Sequence, residues 1–355
     1  MSPRARNPGL VGHAVVPDFH VAVARSARAE LAGSPVIVGG DPAKRGRVVG
    51  ATSDLRRLGI EPGMGVAEAL ARVPSARWVR TDLARAREVS GQLRALVRRE
   101  IGAVETAGLA GFYFRAPDDA GQARARGERL VAVVEGELGL ALRVGIAPTR
   151  FAAALVAEDV GVRGVAVLPP AGFETYLLGL GVERLPTVGP KTTSRLLELG
   201  VQDVAGLRLL GVERLELLLG SAGRALWLLA NAEDPTPLRV REHPTTLSRE
   251  EKLPVSGASS VDAVFARLAM RLETALRRDG LGASRIALRL ATADARTLTR
   301  SRALCPPAVS AGDVAAAARD LFERAGVDPG ALRRIGIVLK GLEVAGAEDR
   351  QLDLF

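Results

Sequence analysis

The sequence predicts a multidomain α+β protein, and three observations carry that prediction. Strand-like and helix-like segments mix up to Leu168 without regular β–α–β alternation. After Pro169-Pro170 the segments become short, Leu-rich and helical. Beyond a polar, proline-punctuated stretch at 239–254, strand and helix patterns mix again.

The Val-rich stretch His13–Ala24 reads as a strand, as do Ser34–Gly39 and Arg47–Thr52. Asp54–Leu58 and Val66–Arg72 look helical, separated by Pro62-Gly63. Leu83–Ile101 sets Val89, Leu93, Leu96, Val97 and Ile101 at helical spacing. Phe112–Phe114 reads as a brief aromatic strand, Ala123–Leu138 as a helix and Leu142–Ile146 as a strand. Thr149–Val160 then reads as a helix and Val165–Leu168 as a strand. From Phe173 to about Leu238, short helices punctuated by Gly181, Gly189, Gly200, Gly211 and Gly220 suggest a small all-helical domain. The word Gly-Val-Glu-Arg-Leu occurs at 181–185 and 211–215, too short to establish a repeat.

Arg239–Pro254 reads as a linker. Val261, Val264, Phe265, Leu268, Leu272 and Leu276 then form a helical stripe. Ile286, Leu288 and Leu290 alternate with Arg285 and Arg289, the period of a half-exposed strand. Arg296–Arg302 is a second candidate strand, with Arg296, Arg300 and Arg302 on one face; Val314–Ala325 reads as a helix and Arg334–Val344 as a strand. Two strands that put Arg outward predict a basic sheet face with Arg285, Arg289 and Arg300, suited to phosphate contact. A merely solvated sheet is the alternative.

Composition narrows the function classes. A chain of 355 residues has room for two or more domains, and with 3% aromatics Leu, Val and Ala must fill the cores. Lys plus Arg number 49 against 40 Asp plus Glu, a net charge of +9 that favours an anionic partner. The cations are nearly all Arg, whose planar fork suits bidentate phosphate contacts. The single Cys305 forbids an internal disulfide and fits a reducing cytoplasm. Three dispersed His and a lone Cys argue against zinc. With no run of about 18 apolar residues and no apolar signal core at the start, the expectation is a soluble, cytoplasmic protein without a membrane partner.

Two motifs point further. In Leu185-Pro-Thr-Val-Gly-Pro-Lys-Thr-Thr193, Gly189 precedes Pro190, and Lys191 and Thr192 open a helix. Free N–H groups at a helix start beside Lys191 form a phosphate site. The segment resembles a helix-hairpin-helix, which grips the DNA backbone without reading bases; an ordinary turn between helices is the alternative. Gln351-Leu-Asp-Leu-Phe355 resembles the peptide by which bacterial polymerases and repair proteins bind the β sliding clamp. That resemblance implies polar contacts from Gln351 and an apolar cleft filled by Leu352, Leu354 and Phe355. The alternative is that Leu354 and Phe355 tuck onto their own domain.

With these motifs in place, the chain from about His13 to Phe355 resembles a Y-family lesion-bypass polymerase of the DinB, DNA polymerase IV-like type. Ala51–Gly59 (ATSDLRRLG) followed by Met64 is similar to the family's fingers segment, and Gly145–Ala153 (GIAPTRFAA) to its palm motif. The resemblance implies palm and fingers over 1–170 (fingers about 40–80) and a helix-hairpin-helix thumb over 171–238. A linker at 239–254, an α+β little finger at 255–346 and a clamp-binding tail at 347–355 complete the order.

The catalytic positions depart from the pattern. His13–His20 (HAVVPDFH) aligns with H-I-D-M-D-x-F-[FY], so the metal-binding Asp falls on Val15, the residue whose carbonyl helps hold metal on Val16, and the steric-gate aromatic on His20. Gly108–Arg115 (GLAGFYFR) aligns with S-L-D-E-A-Y-L-D, so the Asp and Glu fall on Ala110 and Gly111. Nucleotidyl transfer uses two Mg²⁺ ions bridged by carboxylates, and Mg²⁺ demands oxygen ligands. Val, Ala and Gly side chains offer none. The fingers Tyr falls on Ser53, while its Arg persists as Arg56, a nucleotide-binding remnant; the palm Lys falls near Gly161, with Arg163 close by.

The resemblance therefore implies a catalytically inactive relative, similar to ImuB-type proteins, with no metal or other cofactor. It would bind primer–template DNA without sequence preference through Gly189, Lys191, Thr192, Arg285, Arg289 and Arg300. It would bind the clamp and act as an accessory scaffold in translesion synthesis, beside another DNA polymerase and mutagenesis accessory proteins. ImuB-type proteins usually carry a long tail after the little finger, whereas this sequence ends at Phe355. Two alternatives stay open. One is an active, Mg²⁺-dependent translesion polymerase whose site is rebuilt around Asp18, Glu105, Asp118 or Asp119. The other is a structural DNA-binding protein that competes for the clamp.

Overall fold

The structure, a computed structural model, describes residues 9–234, 236, 238–239, 246–253, 261–294 and 296–345. The chain divides into two compact units, Met1–Arg241 and Glu242–Phe355.

In the first unit β1 (Leu10–Val15) is followed by α1 (Phe19–Ala27). The strand expected over His13–Ala24 therefore ends early. Pro17 lacks an N–H for a ladder, and Asp18 turns the chain at φ 49. Val21 and Val23 are then buried from a helix, so packing overrides their β preference. Next come β2 (Val36–Gly39), β3 (Val48–Ala51), α2 (Ser53–Arg57), α3 (Val66–Arg72) and β4 (Arg77–Arg80). β2 lies between β3 and β4 in a three-stranded sheet, and α2 and α3 contribute Leu55, Val66 and Ala69 to a small core with Ile37.

α4 (Leu83–Ile101) occupies the span its spacing predicted and is capped by Asp82, which accepts from the Arg85 N–H. β5 (Glu105–Ala107), β6 (Gly111–Ala116), α5 (Ala120–Leu138), β7 (Arg143–Ala147), α6 (Arg150–Asp159) and β8 (Gly164–Val167) follow. They build a five-stranded sheet, β5-β6-β1-β7-β8, antiparallel except for β7 with β8. One face packs Ala14, Phe112, Phe114, Val144 and Ile146 in a core with Leu93 and Val97 of α4 and Leu130 and Val134 of α5. The opposite face carries His13, Val15, Gly111, Tyr113 and Arg143, and α6 covers one end of it. A Cβ at Gly145 would lie 2.2 Å from the Ala153 carbonyl oxygen, so only glycine lets α6 approach.

The helical segment holds α7 (Pro170–Leu178), α8 (Pro190–Glu198), α9 (Val204–Leu210), α10 (Val212–Leu219) and α11 (Ser221–Ala230). Phe173, Leu177, Leu196, Leu215 and Leu226 share a core with Val11, Tyr113 and Phe151. The repeated Gly-Val-Glu-Arg-Leu makes a 3-10 turn at Val182–Arg184 in one copy and opens α10 in the other. It is no structural repeat.

The second unit has β9 (Thr246–Lys252), α12 (Val261–Asp279), β10 (Leu281–Thr292), β11 (Thr297–Ala308), α13 (Ala311–Glu323) and β12 (Leu332–Val344). Its sheet runs β11-β10-β12-β9, all antiparallel. Phe265, Leu268 and Leu272 of α12 and Val314 and Leu321 of α13 pack against Ile286, Leu288, Ile335 and Ile337. The linker expected over 239–254 does not hold for residues 246–252, and residues 240–245 and 254 lie outside the described residues. Residues 246–252 form an edge strand, and their polarity reflects an open sheet face rather than a tether. β11 is also an edge strand, which allows it to run on through Pro306 and Pro307.

Candidate functional site

The sheet brings together Val15, Ala110 and Gly111, the three positions onto which the resemblance mapped the family's carboxylates. Val15 of β1 pairs with Gly111 of β6, and the Val16 N–H donates to the Ala110 carbonyl at 3.0 Å. Cross-strand partners share a face, so Val15 and Gly111 are side by side. On its other flank Val15 pairs with Arg143 of β7. Position 111 is closed as well as empty. A Cβ there would lie 2.9 Å from the Ala107 carbonyl oxygen and 3.3 Å from His13 Nε2. Among the described residues no group of three or more His, Cys, Asp or Glu is placed to hold a metal ion. Mg²⁺ therefore does not fit this face as built: a hard cation would meet Val, Gly and a guanidinium.

The nearby carboxylates are committed elsewhere. Glu105 pairs with Arg150 at 2.8 Å and accepts from the Arg239 backbone N–H at 2.7 Å. Arg150 lies 4.0 Å from the Tyr113 ring centroid, and Tyr113 stacks on His13 at 4.3 Å. Burial, aided by the Arg150 charge, pushes the His13 pKa down to about 4, so the imidazole is neutral near pH 7. Its Nδ1 is buried without a hydrogen-bond partner. Asp18 pairs with Arg56 at 2.9 Å. Burial raises the Asp18 carboxyl above its usual range, opposed by the charges of Arg56, Arg143 and Arg25. Asp119 caps α5, accepting from the Gln122 N–H at 2.8 Å. It and Asp118 follow β6 at the end paired with Leu10, far from Val15.

The remnant cations divide. Arg56 reaches this neighbourhood through Asp18, but Arg163 is held by Glu135. His20 lies beside Gly50 of β3, and burial lowers its pKa.

The expected DNA-contact residues also divide. Gly189 is the N-cap of α8, with Pro190 in its first turn, and Lys191 and Thr192 follow as the sequence suggested. Lys191 is exposed and makes no ion pair with the described residues. Thr187, in the preceding turn, takes φ 72, a left-handed conformation that favours glycine.

In the second unit Arg285 and Arg289 share the open face, but Arg300 does not join them. Arg300 pairs with Leu288, whose side chain points into the helix-covered core. The strand was assigned correctly and its face was not, because cross-strand register decides the face. The open face instead adds Lys340, directly across from Arg285, and Lys252, directly across from Arg334. Like charges placed opposite each other are destabilising without an anion. Among the described residues Glu250, 3.5 Å from Arg334, is the only carboxylate ion-paired with any of these five cations. Sequence reasoning missed Lys252 because it lay in the expected linker, and Lys340 and Arg143 because each is an isolated strand cation until its partner strand is known. The Gln351, Leu352, Leu354 and Phe355 expectation lies outside the described residues.

A five-stranded sheet flanked by helices, a helical segment and a separate four-stranded α+β unit define the fold of a Y-family polymerase. The sequence profile of the impB/mucB/samB family matches residues 16–158, and that of its C-terminal domain matches 244–354. The chain belongs to this family of Y-family DNA polymerases. It is similar to the DNA polymerase IV of Alkalilimnicola ehrlichii, 29% identical over 349 residues that cover 97% of this chain and 98% of the relative. It is 30% identical to the DNA polymerase IV of Xanthomonas oryzae pv. oryzae, with 88% of each chain covered. A solved structure described as DinB from Sulfolobus solfataricus superposes with a TM-score of 0.75 at 20% identity, covering 94% of this chain and 99% of that one. An insertion ternary complex of Dbh DNA polymerase gives 0.74 at 20% identity, with 93% and 98% covered.

Proposed function

We propose that this chain is a non-catalytic Y-family homologue that binds primed DNA through its phosphates and acts as an accessory scaffold in translesion synthesis. The observation that carries the reading is the register of Val15 with Gly111 and Arg143. Two-metal catalysis needs clustered carboxylates at this face, and a guanidinium stands there instead. Residues 1–170 act as palm and fingers, the helical segment as thumb and the second unit as little finger. The thumb offers Gly189, Lys191 and Thr192 to the backbone, and the little finger offers Arg285, Arg289, Lys340 and Lys252. Gln351–Phe355 tether the protein to the sliding clamp, and another polymerase performs the synthesis.

The names of the relatives favour a second reading, an active translesion polymerase. It needs carboxylates to take over the metals, and Asp18 and Glu105 are each already paired with an arginine. Primer extension tests the choice: a folded, DNA-binding sample adds no nucleotide under the first reading and extends the primer under the second.

A further inference from the structure

Among the described residues Arg143 makes no ion pair, although its charge is felt by the Asp18 carboxylate. It stands across from Val15, on the face shared with Gly111. Its Nε is buried and meets no acceptor. None of the ion pairs among the described residues includes it. Arg56 reaches the same neighbourhood from α2, and its side chain stays 44% exposed while paired to Asp18. The groups acting on Asp18 are Arg56, Arg143 and Arg25, three cations on one carboxylate. Arg25 also acts on Asp54, and counting that second carboxylate still leaves an excess positive charge. A partly buried guanidinium without a counter-ion is costly unless an anion completes it.

We propose that this face binds a phosphate group directly, without metal. Arg143 takes the electrostatic place of a metal ion, and Arg56 supplies a second cation. The planar guanidinium fork matches two phosphate oxygens at once, and Arg56 has donors to spare beyond those used by Asp18. The ligand is a phosphate ester, supplied either by the triphosphate of a deoxynucleotide or by the backbone of a DNA strand. The inference rests on the non-catalytic reading, because Mg²⁺ held here would contend with Arg143 for the same space.

The test is equilibrium binding by the intact chain in EDTA, with two probes: a fluorescent deoxynucleoside triphosphate and a primed DNA duplex. Wild type is compared with Arg143→Ala, Arg143→Lys and Val15→Asp. Arg143→Ala is expected to weaken at least one probe by about ten- to a hundred-fold, what one charge-assisted contact is worth. Arg143→Lys should fall between. Val15→Asp sets a carboxylate against Arg143 and should weaken the same probe with the guanidinium intact. Loss on the triphosphate assigns the nucleotide, and loss confined to the duplex assigns the strand backbone. Cooperative melting qualifies each variant, and Arg143→Lys with Val15→Asp carry the test if Arg143→Ala does not fold. Equal binding of both probes by all folded variants would overturn the proposal. Primer extension on the same samples separates the two ideas. Extension overturns the non-catalytic reading, whereas no extension with unchanged binding overturns the phosphate site alone.

Discussion

His13 is the most strongly perturbed titratable group on the sheet face that carries Val15 and Gly111. Its ring stacks on Tyr113, lies close to Gly111 and is held neutral with a pKa of about 4. An unfolded histidine titrates near 6.5. Between those values the unfolded chain binds a proton that the folded chain refuses, so stability falls as pH drops from 6.5 towards 4. The contribution at the low end is about 2–3 kcal/mol. His13→Phe keeps a stacked ring and removes the titration. The melting temperature should therefore fall less between pH 7 and pH 4.5 in His13→Phe than in the parent. An equal fall in both proteins would show that His13 is not the buried group described here. That Val15, Ala110 and Gly111 lie close together was legible in the sequence because a motif frame mapped all three onto one site. The closure of position 111 by Ala107 was not legible. It depends on β5, a three-residue strand with no periodic signal.

Among elements, the four-stranded sheet of the second unit makes the sharpest statement. Lys340 faces Arg285 and Lys252 faces Arg334 across strand pairs, an arrangement that disfavours the free protein and suits one bound to a polyanion. Phosphate contacts release counterions, so affinity falls steeply with salt. Replacing Arg285, Arg289, Lys340 and Lys252 with Ala should weaken binding to every DNA sequence alike. It should also flatten the slope of log affinity against log salt by about 3–4. Arg300→Ala, on the other face, should change that slope by less than the Arg285 substitution does. A sequence-selective loss, or an unchanged slope, contradicts this surface. Alternation of Ile286, Leu288 and Leu290 with arginines revealed β10 from sequence alone, and helical stripes revealed α4 and α12. The face of β11 and the strand β9 stayed hidden. A side chain's face follows from pairing between distant segments, and a polar edge strand has the composition of a linker.

At the scale of the whole molecule, the polymerase fold is present in two units, and in the proposed reading its chemical centre carries the opposite charge. A scaffold has to be brought to a primer terminus, and Gln351–Phe355 provide the tether in the proposed role. Deleting those five residues should abolish binding to the sliding clamp and leave affinity for primed DNA unchanged. Retained clamp binding would place the contact elsewhere on the chain.

The most direct measurement is primer extension by the purified protein on a primed template, with Mg²⁺ or Mn²⁺, all four deoxynucleotides and clamp, beside an active polymerase. The account predicts that the protein binds the primed template and adds no nucleotide with either metal. Metal-dependent extension that persists after Arg143→Ala and is lost with Asp18→Ala or Glu105→Ala would contradict it, and would relocate the metal site to those carboxylates.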